Sequence, residues 1–227
     1  MHDWQVSTDE ARRIQTDLSA RVSRNGKVSH PRFIAGVDIA VNKRGEMATA
    51  AVVLLSYPSL CLKDVSVVRG TLGMPYIPGL LSFREAPLIL EACKKLAVAP
   101  DLIMVDGQGI AHPRRLGLAS HLGLFLDMPA VGCAKSRLCG IHEEPGVMPG
   151  DYAVLTDQGE VIGTVLRTRR GVKPLYVSIG HRICLEDAQQ WALACCRGYR
   201  LPEPTRLAHQ AAGGTLEPAA TMPHVNK

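Results

Sequence analysis

Residues 101–134 read DLIMVDGQGIAHPRRLGLASHLGLFLDMPAVGCA, and that order leaves few folds open. Leu102–Val105 is a continuous apolar run closed by an acid, the form of a strand buried on both faces of a parallel sheet. A second apolar run, PAVGCA, follows HPRRLGLASHLGLFLD, which reads as the crossover helix. Parallel neighbours require such a crossover. A βαβ unit is therefore expected here, and the chain is expected to be α/β.

The flanks extend the unit. Before it stand three strand-like runs, RFIAGVDIAV, ATAAVVLLSY and CLKDVSVVRGTL, joined by the short links NKRGEM and PSL, as in an antiparallel meander. After it, YAVLT, EVIGTVLRT and PLYVSIG read as strands, and CLEDAQQWALACCRGY and PEPTRLAHQAAG as helices. Ser7 with Glu10 has capping-box spacing, and Ala11, Ile14, Leu18 and Val22 recur at helical spacing behind it. PLILEACKKLAV reads as a further helix, with Pro87 acceptable only near its start. Without repeats or linkers, residues 1–227 form one expected domain, with residues 1–30 as an N-terminal helix and loop and a flexible tail at 213–227.

Composition narrows the function classes. The chain is 46% hydrophobic and 21% charged, which argues against wholesale disorder. The net charge of +5 permits a polyanionic partner without demanding one. No run approaches the roughly 20 apolar residues of a membrane span, and the N-terminus lacks an apolar signal core. Seven cysteines form no CxxC pair, so neither a disulfide framework nor a structural zinc site is expected. Reduced thiols, and a cytoplasmic location, fit that usage.

Two acids interrupt apolar strands: Asp38 in AGVDIAV and Asp106 at the end of LIMVD. A buried carboxylate is costly without a cation, donors or water. Asp106 also ends a strand of an α/β sheet, where ligands gather, and Gly107 and Gly109 strip side chains from the loop that follows. Glu85 has a plainer explanation, because Ser82-x-x-Glu85 has capping-box spacing. His209 alone is more often a hydrogen-bonded surface histidine than a ligand. Brought together, three acids would repel unless a cation sat among them, and hard oxygen ligands suit Mg²⁺. Lys135, Arg84, Arg114 and Arg115 are candidate counter-charges for a phosphate backbone. MPYIPGLLSFRE, residues 74–85, is poor core filler because Pro75 and Pro78 remove backbone donors; it reads as a stiffened projection presenting Tyr76. The chain lacks HExxH, GxSxG and a P-loop, and its G-x-G lacks the third glycine of a dinucleotide fingerprint.

GVDIA, MPYIPGLLSFREAP, VDGQGIAHPRRLGLASHLGL, VGCAKSRLCG and GYRLPEPTRLAHQAA together resemble the endonuclease V family, also called deoxyinosine 3′-endonuclease, from about Ala35 to Ala212. The resemblance implies an RNase H-like fold, a central mixed β-sheet flanked by α-helices. It implies Mg²⁺-dependent hydrolysis, with Mn²⁺ tolerated, of the second phosphodiester bond 3′ to deoxyinosine, leaving 3′-OH and 5′-phosphate. The family's metal-binding acids fall on Asp38, Glu85 and Asp106, its C-terminal active-site histidine or acid on His209, and its motif lysine on Lys135, facing the scissile phosphate. Its strand-separating wedge falls on Pro75, Tyr76, Ile77 and Pro78. The pocket for the flipped hypoxanthine falls on Gly79, Leu81, Gly107, Leu118 and Leu138, with His112 nearby. Gln108 stands where many relatives carry histidine.

A tyrosine held between prolines can stack where a base has left the duplex, and the expelled base can be read in a tight pocket. The expected partner is deoxyinosine-containing damaged DNA, bound by a monomer without membrane association. Two alternatives stand beside it. One is an endonuclease for inosine-containing RNA, where single strands need less opening. The other is a non-cutting lesion binder, which would gain nothing from acids facing phosphate.

Overall fold

The computed structural model describes residues 2–42 and 47–216. Helix α1 spans Thr8–Ser19, and Ser7 caps it by accepting from the Glu10 N–H. Val22, expected on its apolar stripe, lies past its end but is buried. Strands β1 (Phe33–Val41), β2 (Met47–Ser56) and β3 (Leu62–Thr71) form the antiparallel meander.

Helix α2 runs Leu81–Lys94, earlier than its sequence suggests, with Pro87 inside it. This overturns the capping-box reading of Ser82 and Glu85, because Leu80 is the N-cap and Ser82 is buried in the first turn. A proline in a helix interior normally costs ~3 kcal/mol. Here Phe83, Glu85, Ala86 and Ile89 are buried on both sides of it, so packing holds the turn.

Strand β4 (Leu102–Val105), helix α3 (Leu118–Leu126) and strand β5 (Ala130–Ala134) form the parallel crossover. The helical part is shorter than HPRRLGLASHLGLFLD. Residues 112–115 are turns and bends, Arg115 has φ 55°, and Gly117 is the N-cap. Strands β6 (Tyr152–Asp157), β7 (Glu160–Leu166) and β8 (Leu175–His181), then helices α4 (Leu185–Ala194) and α5 (Glu203–Ala212), complete the order. Among the described residues one eight-stranded sheet results, ordered β3-β2-β1-β4-β5-β8-β7-β6, parallel at β1–β4–β5 and antiparallel elsewhere. No helix among the described residues is long and apolar enough to cross a membrane.

Alternation along the central strands divides the core. Ala35, Val37, Ile103 and Val105 pack with Ala86, Ile89 and Leu122 beneath α2 and α3. Ile34, Leu102 and Met104 face the opposite side with Ala188 and Ala192 of α4. Helix α5 covers Ala51 and Val53 on that second side. In residues 213–216 the N–H groups of Gly213 and Thr215 bond back to the carbonyls of His209 and Gln210, and Leu216 packs against α5. The rest of the expected tail, 217–227, lies outside the described residues.

Gly36 shows how closely α5 lies on β1. A Cβ there would stand 1.9 Å from the Pro204 carbonyl oxygen, which is backbone and cannot swing away. Gly36→Ala is expected to cost about 3 kcal/mol by overpacking and to lower Tm by about 10 °C. Thermal unfolding of that variant checks it; an unchanged Tm would show that α5 can lift from the sheet.

Candidate active site

The carboxyl ends of β1, β4 and β5 open on one edge of the sheet. Register pairs Val37 with Val105, so the next residues, Asp38 and Asp106, stand side by side. Helix α5 returns across β1 and brings His209 Nδ1 to 2.6 Å from Asp38 Oδ2. Ligand atoms of Asp38, Asp106 and His209 all lie within 4.8 Å of one another. Lys135, the first residue after β5, brings its Nζ to 2.5 Å from Asp106 Oδ2.

Glu85 is outside that 4.8 Å group, whose third member is the histidine. It approaches from α2 and is 6% exposed. Burial, with the adjacent charges of Asp38 and Asp106 adding to it against an opposing Arg84, pushes its carboxyl up to about 8. Burial, then the neighbouring Asp106, likewise raises Asp38. With both carboxyls raised, a cation placed among them would favour their ionised forms.

The site's fit to a divalent cation rests on its donor atoms. Two carboxylates and an imidazole nitrogen converge, a third carboxylate lies within electrostatic range, and among the described residues buried Asp106 Oδ2 has no partner beyond the ion pair with Lys135. Oxygen-rich donors of this kind suit a hard ion.

The projecting segment is anchored from below. Tyr76 is 65% exposed, whereas Ile77 and Met74 pack against Ala11, Leu80 and Phe83. The Arg84 guanidinium lies 5.9 Å from the Tyr76 ring centroid. Gly79, at φ 78°, turns its carbonyl inward to receive three donors: Gln15 Nε2 at 2.9 Å, His112 Nε2 at 3.0 Å and Arg114 Nη2 at 2.8 Å. Because His112 Nδ1 accepts from the Arg114 N–H, its proton is on Nε2. Burial, then Arg114, lowers its pKa to about 4, so it serves the loop as a neutral donor.

A pocket of about 80 Å³ opens beside this carbonyl. Gly79, Leu81, His112, Leu118 and Leu138 line it, with Tyr76 at its rim. Gly107 does not, and sits behind Leu118, 3.5 Å from where a Cβ would be. Gly109 has a structural reason instead of a substrate one, since its Cβ would stand 2.0 Å from the Ile179 carbonyl oxygen. Gln108 lines the pocket and donates to Ser136 at 2.8 Å, tying the loops after β4 and β5 together.

Two expected phosphate ligands are engaged elsewhere. Arg114 is held by Gln15 and Gly79, and Arg115 by Glu160 and Asp157. Two residue groups were not anticipated. Gln15 is polar within the apolar stripe of α1, and that was its signal. His121, which with Ser120 interrupts the apolar run LASHLGLFL, bonds Ser82 Oγ at 2.9 Å and His2 Nε2 at 2.8 Å inside a cage of Trp4, Phe83 and Phe125. Burial lowers its pKa to about 3. His2 Nδ1 faces the Asp3 carbonyl at 2.6 Å and so must donate. The contacts from Ser82 through His121 to His2 lock the pocket wall to the N-terminal segment.

Comparison with known proteins identifies the family of the chain. The family profile described as Endonuclease V matches residues 16–210. The Endonuclease V of Dehalococcoides mccartyi strain BAV1 is 52% identical over 212 residues, 93% of this chain and 95% of that protein. The crystal structure of Endonuclease V from Streptomyces avermitilis superposes with a TM-score of 0.88 at 40% identity, covering 94% of each chain. Ciona intestinalis Endonuclease V, crystallised with a 23mer DNA containing an inosine followed by a ribo-adenosine, has a TM-score of 0.82 at 27% identity, covering 93% of this chain and 98% of that one. The mixed sheet with helices on both faces is thus the RNase H-like fold of those structures.

Proposed function

The chain belongs to the endonuclease V family, and on that premise we propose that it is a cytoplasmic, monomeric, one-domain DNA repair nuclease. It nicks deoxyinosine-containing DNA at the second phosphodiester bond 3′ to the lesion and leaves 3′-OH and 5′-phosphate ends. The observation that carries this reading is the convergence of Asp38, Asp106 and His209 within 4.8 Å on the edge where the pocket opens, with Gln108 only two residues from Asp106.

Asp38 and Asp106 would hold Mg²⁺, or Mn²⁺ in its stead, with Glu85 and His209 as further ligands or supports. Such an ion supplies Lewis acidity to the phosphoryl oxygens and a nucleophilic water at neutral pH. Lys135 turns its ammonium from Asp106 toward a non-bridging oxygen of the scissile phosphate. His209, with Nδ1 against Asp38 and its ring 60% exposed, keeps Nε2 available to take the proton of the attacking water. Tyr76, flanked by Pro75 and Pro78 and held by Ile77, fills the gap in the stack. The hypoxanthine enters the pocket formed by Gly79, Leu81, Leu118 and Leu138, with Gly107 and His112 supporting its wall. Unstacking costs a few kcal/mol and is smallest for a poorly paired base, which itself favours the lesion.

The experiment is strand cleavage of matched duplexes with inosine or adenosine at one position, with Mg²⁺ or with EDTA. Cleavage of the inosine strand only, in Mg²⁺ only, is expected. Equal cutting of both duplexes, or preference for a matched inosine RNA, would overturn the substrate assignment. Tyr76→Ala is expected to lower the inosine-to-adenosine preference about tenfold while leaving the Mg²⁺ dependence unchanged. This follows from a stacking contribution of ~1–3 kcal/mol. An unaltered preference would remove the wedge role.

A further inference from the structure

The loop between β7 and β8, residues 167–174, reads RTRRGVKP, and neither the metal site nor the pocket uses it. Its location is fixed by pairing. Ala134 at the end of β5 pairs with Tyr176 at the start of β8, so Lys135 and Pro174 emerge on neighbouring strands, which run about 4.8 Å apart. Arg200 clamps the two together, its Nη2 donating to the carbonyls of both Lys135 and Pro174. The base of the loop is braced by Arg167, whose guanidinium donates to the carbonyls of Gly146 and Val172 and pairs with Glu144 at 3.0 Å.

Above these two internal arginines, Arg169, Arg170 and Lys173 are exposed, and none of them enters an ion pair among the described residues. The neighbouring loop supplies Glu143 and Glu144, but Glu144 is taken by Arg167. A braced loop carrying three exposed cations that enter no ion pair among the described residues, one strand from the lysine that meets the reacting phosphate, has the form of a polyanion contact.

Resting on the function proposed above, we propose that Arg169, Arg170 and Lys173 form a second nucleic-acid surface that grips backbone phosphates of the substrate DNA beyond the scissile one. Phosphate contacts of this kind position a strand without reading its sequence. They release counterions on binding, so each lowers the slope of log K against log salt by about 0.7–0.9.

The test is fluorescence-anisotropy binding of the full chain to a deoxyinosine duplex in EDTA across a KCl series. It compares wild type with Arg169→Gln/Arg170→Gln/Lys173→Gln. The triple variant is expected to shallow the slope by about 2–3, equivalent to a roughly 30-fold smaller affinity loss between 50 and 200 mM salt. Arg169→Lys/Arg170→Lys, which keeps the charge and leaves Lys173 in place, is expected to retain the wild-type slope and also guards against misfolding of the triple variant. An unchanged slope in the triple variant, a slope lost equally in the charge-keeping variant, or a slope change seen with RNA and absent with DNA would each overturn the proposal. A wild-type protein with no preference for inosine would defeat the repair assignment, yet the slope comparison would still report on the loop.

Discussion

Asp38→Ala and Asp106→Ala each lower cleavage of an inosine-containing duplex in Mg²⁺ by at least about a thousandfold, on the order of 4 kcal/mol of transition-state stabilisation. Each substitution removes one of the two carboxylates in the 4.8 Å group, and neither loss can be made good by the remaining imidazole. The thermal stability of the metal-free protein moves the other way or not at all for Asp38→Ala. That carboxyl is raised by burial and by its neighbour, so deleting it relieves an unfavourable charge. DNA binding in EDTA should be retained, because removing an acid from a phosphate-facing edge reduces repulsion. Loss of cutting with stability and binding intact separates a metal ligand from a packing residue. Near-wild-type cleavage by either variant would remove the proposed mechanism.

Glu85→Gln separates pH dependence from catalysis. In the folded protein the Glu85 carboxyl sits at about 8 against an ordinary 4.5, because it is buried. The fold therefore holds this proton more tightly than the unfolded chain does. Its contribution to stability is complete below pH 4.5 and is lost progressively as pH rises through about 8. The total is on the order of several kcal/mol at 1.36 kcal/mol per unit. In EDTA, wild type is expected to lose stability across that window relative to Glu85→Gln, so the variant is the more stable protein at pH 9. Added Mg²⁺ should reverse the order, stabilising wild type increasingly above pH 7, because a ligand carboxyl must give up its proton to bind. Thermal unfolding from pH 5 to 9, with EDTA and with Mg²⁺, measures both effects. Superimposed profiles for the two proteins would show that Glu85 neither carries this burden nor meets the metal.

The elements legible in the sequence were those with local causes. The meander, the parallel pair and the α1 cap follow from periodicity, link length and a serine at the right spacing. Asp38 and Asp106 could be suspected because acids are expensive in apolar strands. Their adjacency depends on the β1–β4 register, which no local pattern states. His209 meets Asp38 across 171 residues, through the packing of α5 over Gly36. The start of α2 was misread because Pro87 is locally a breaker, and only the tertiary burial of both flanking turns outweighs it. Arg114 and Arg115 were plausible phosphate ligands by charge. Their engagement with Gly79, Gln15, Asp157 and Glu160 depends on a left-handed turn at Arg115 and on strands β6 and β7, more than 40 residues away.

Anomalous scattering from a crystal grown in Mn²⁺ tests the metal centre most directly. A peak between the Asp38 and Asp106 carboxylates, with Lys135 drawn away from Asp106 and Glu85 turned toward the ion, is the predicted result. No peak at that edge, under conditions where the dissolved crystals still nick inosine-containing DNA, would contradict it.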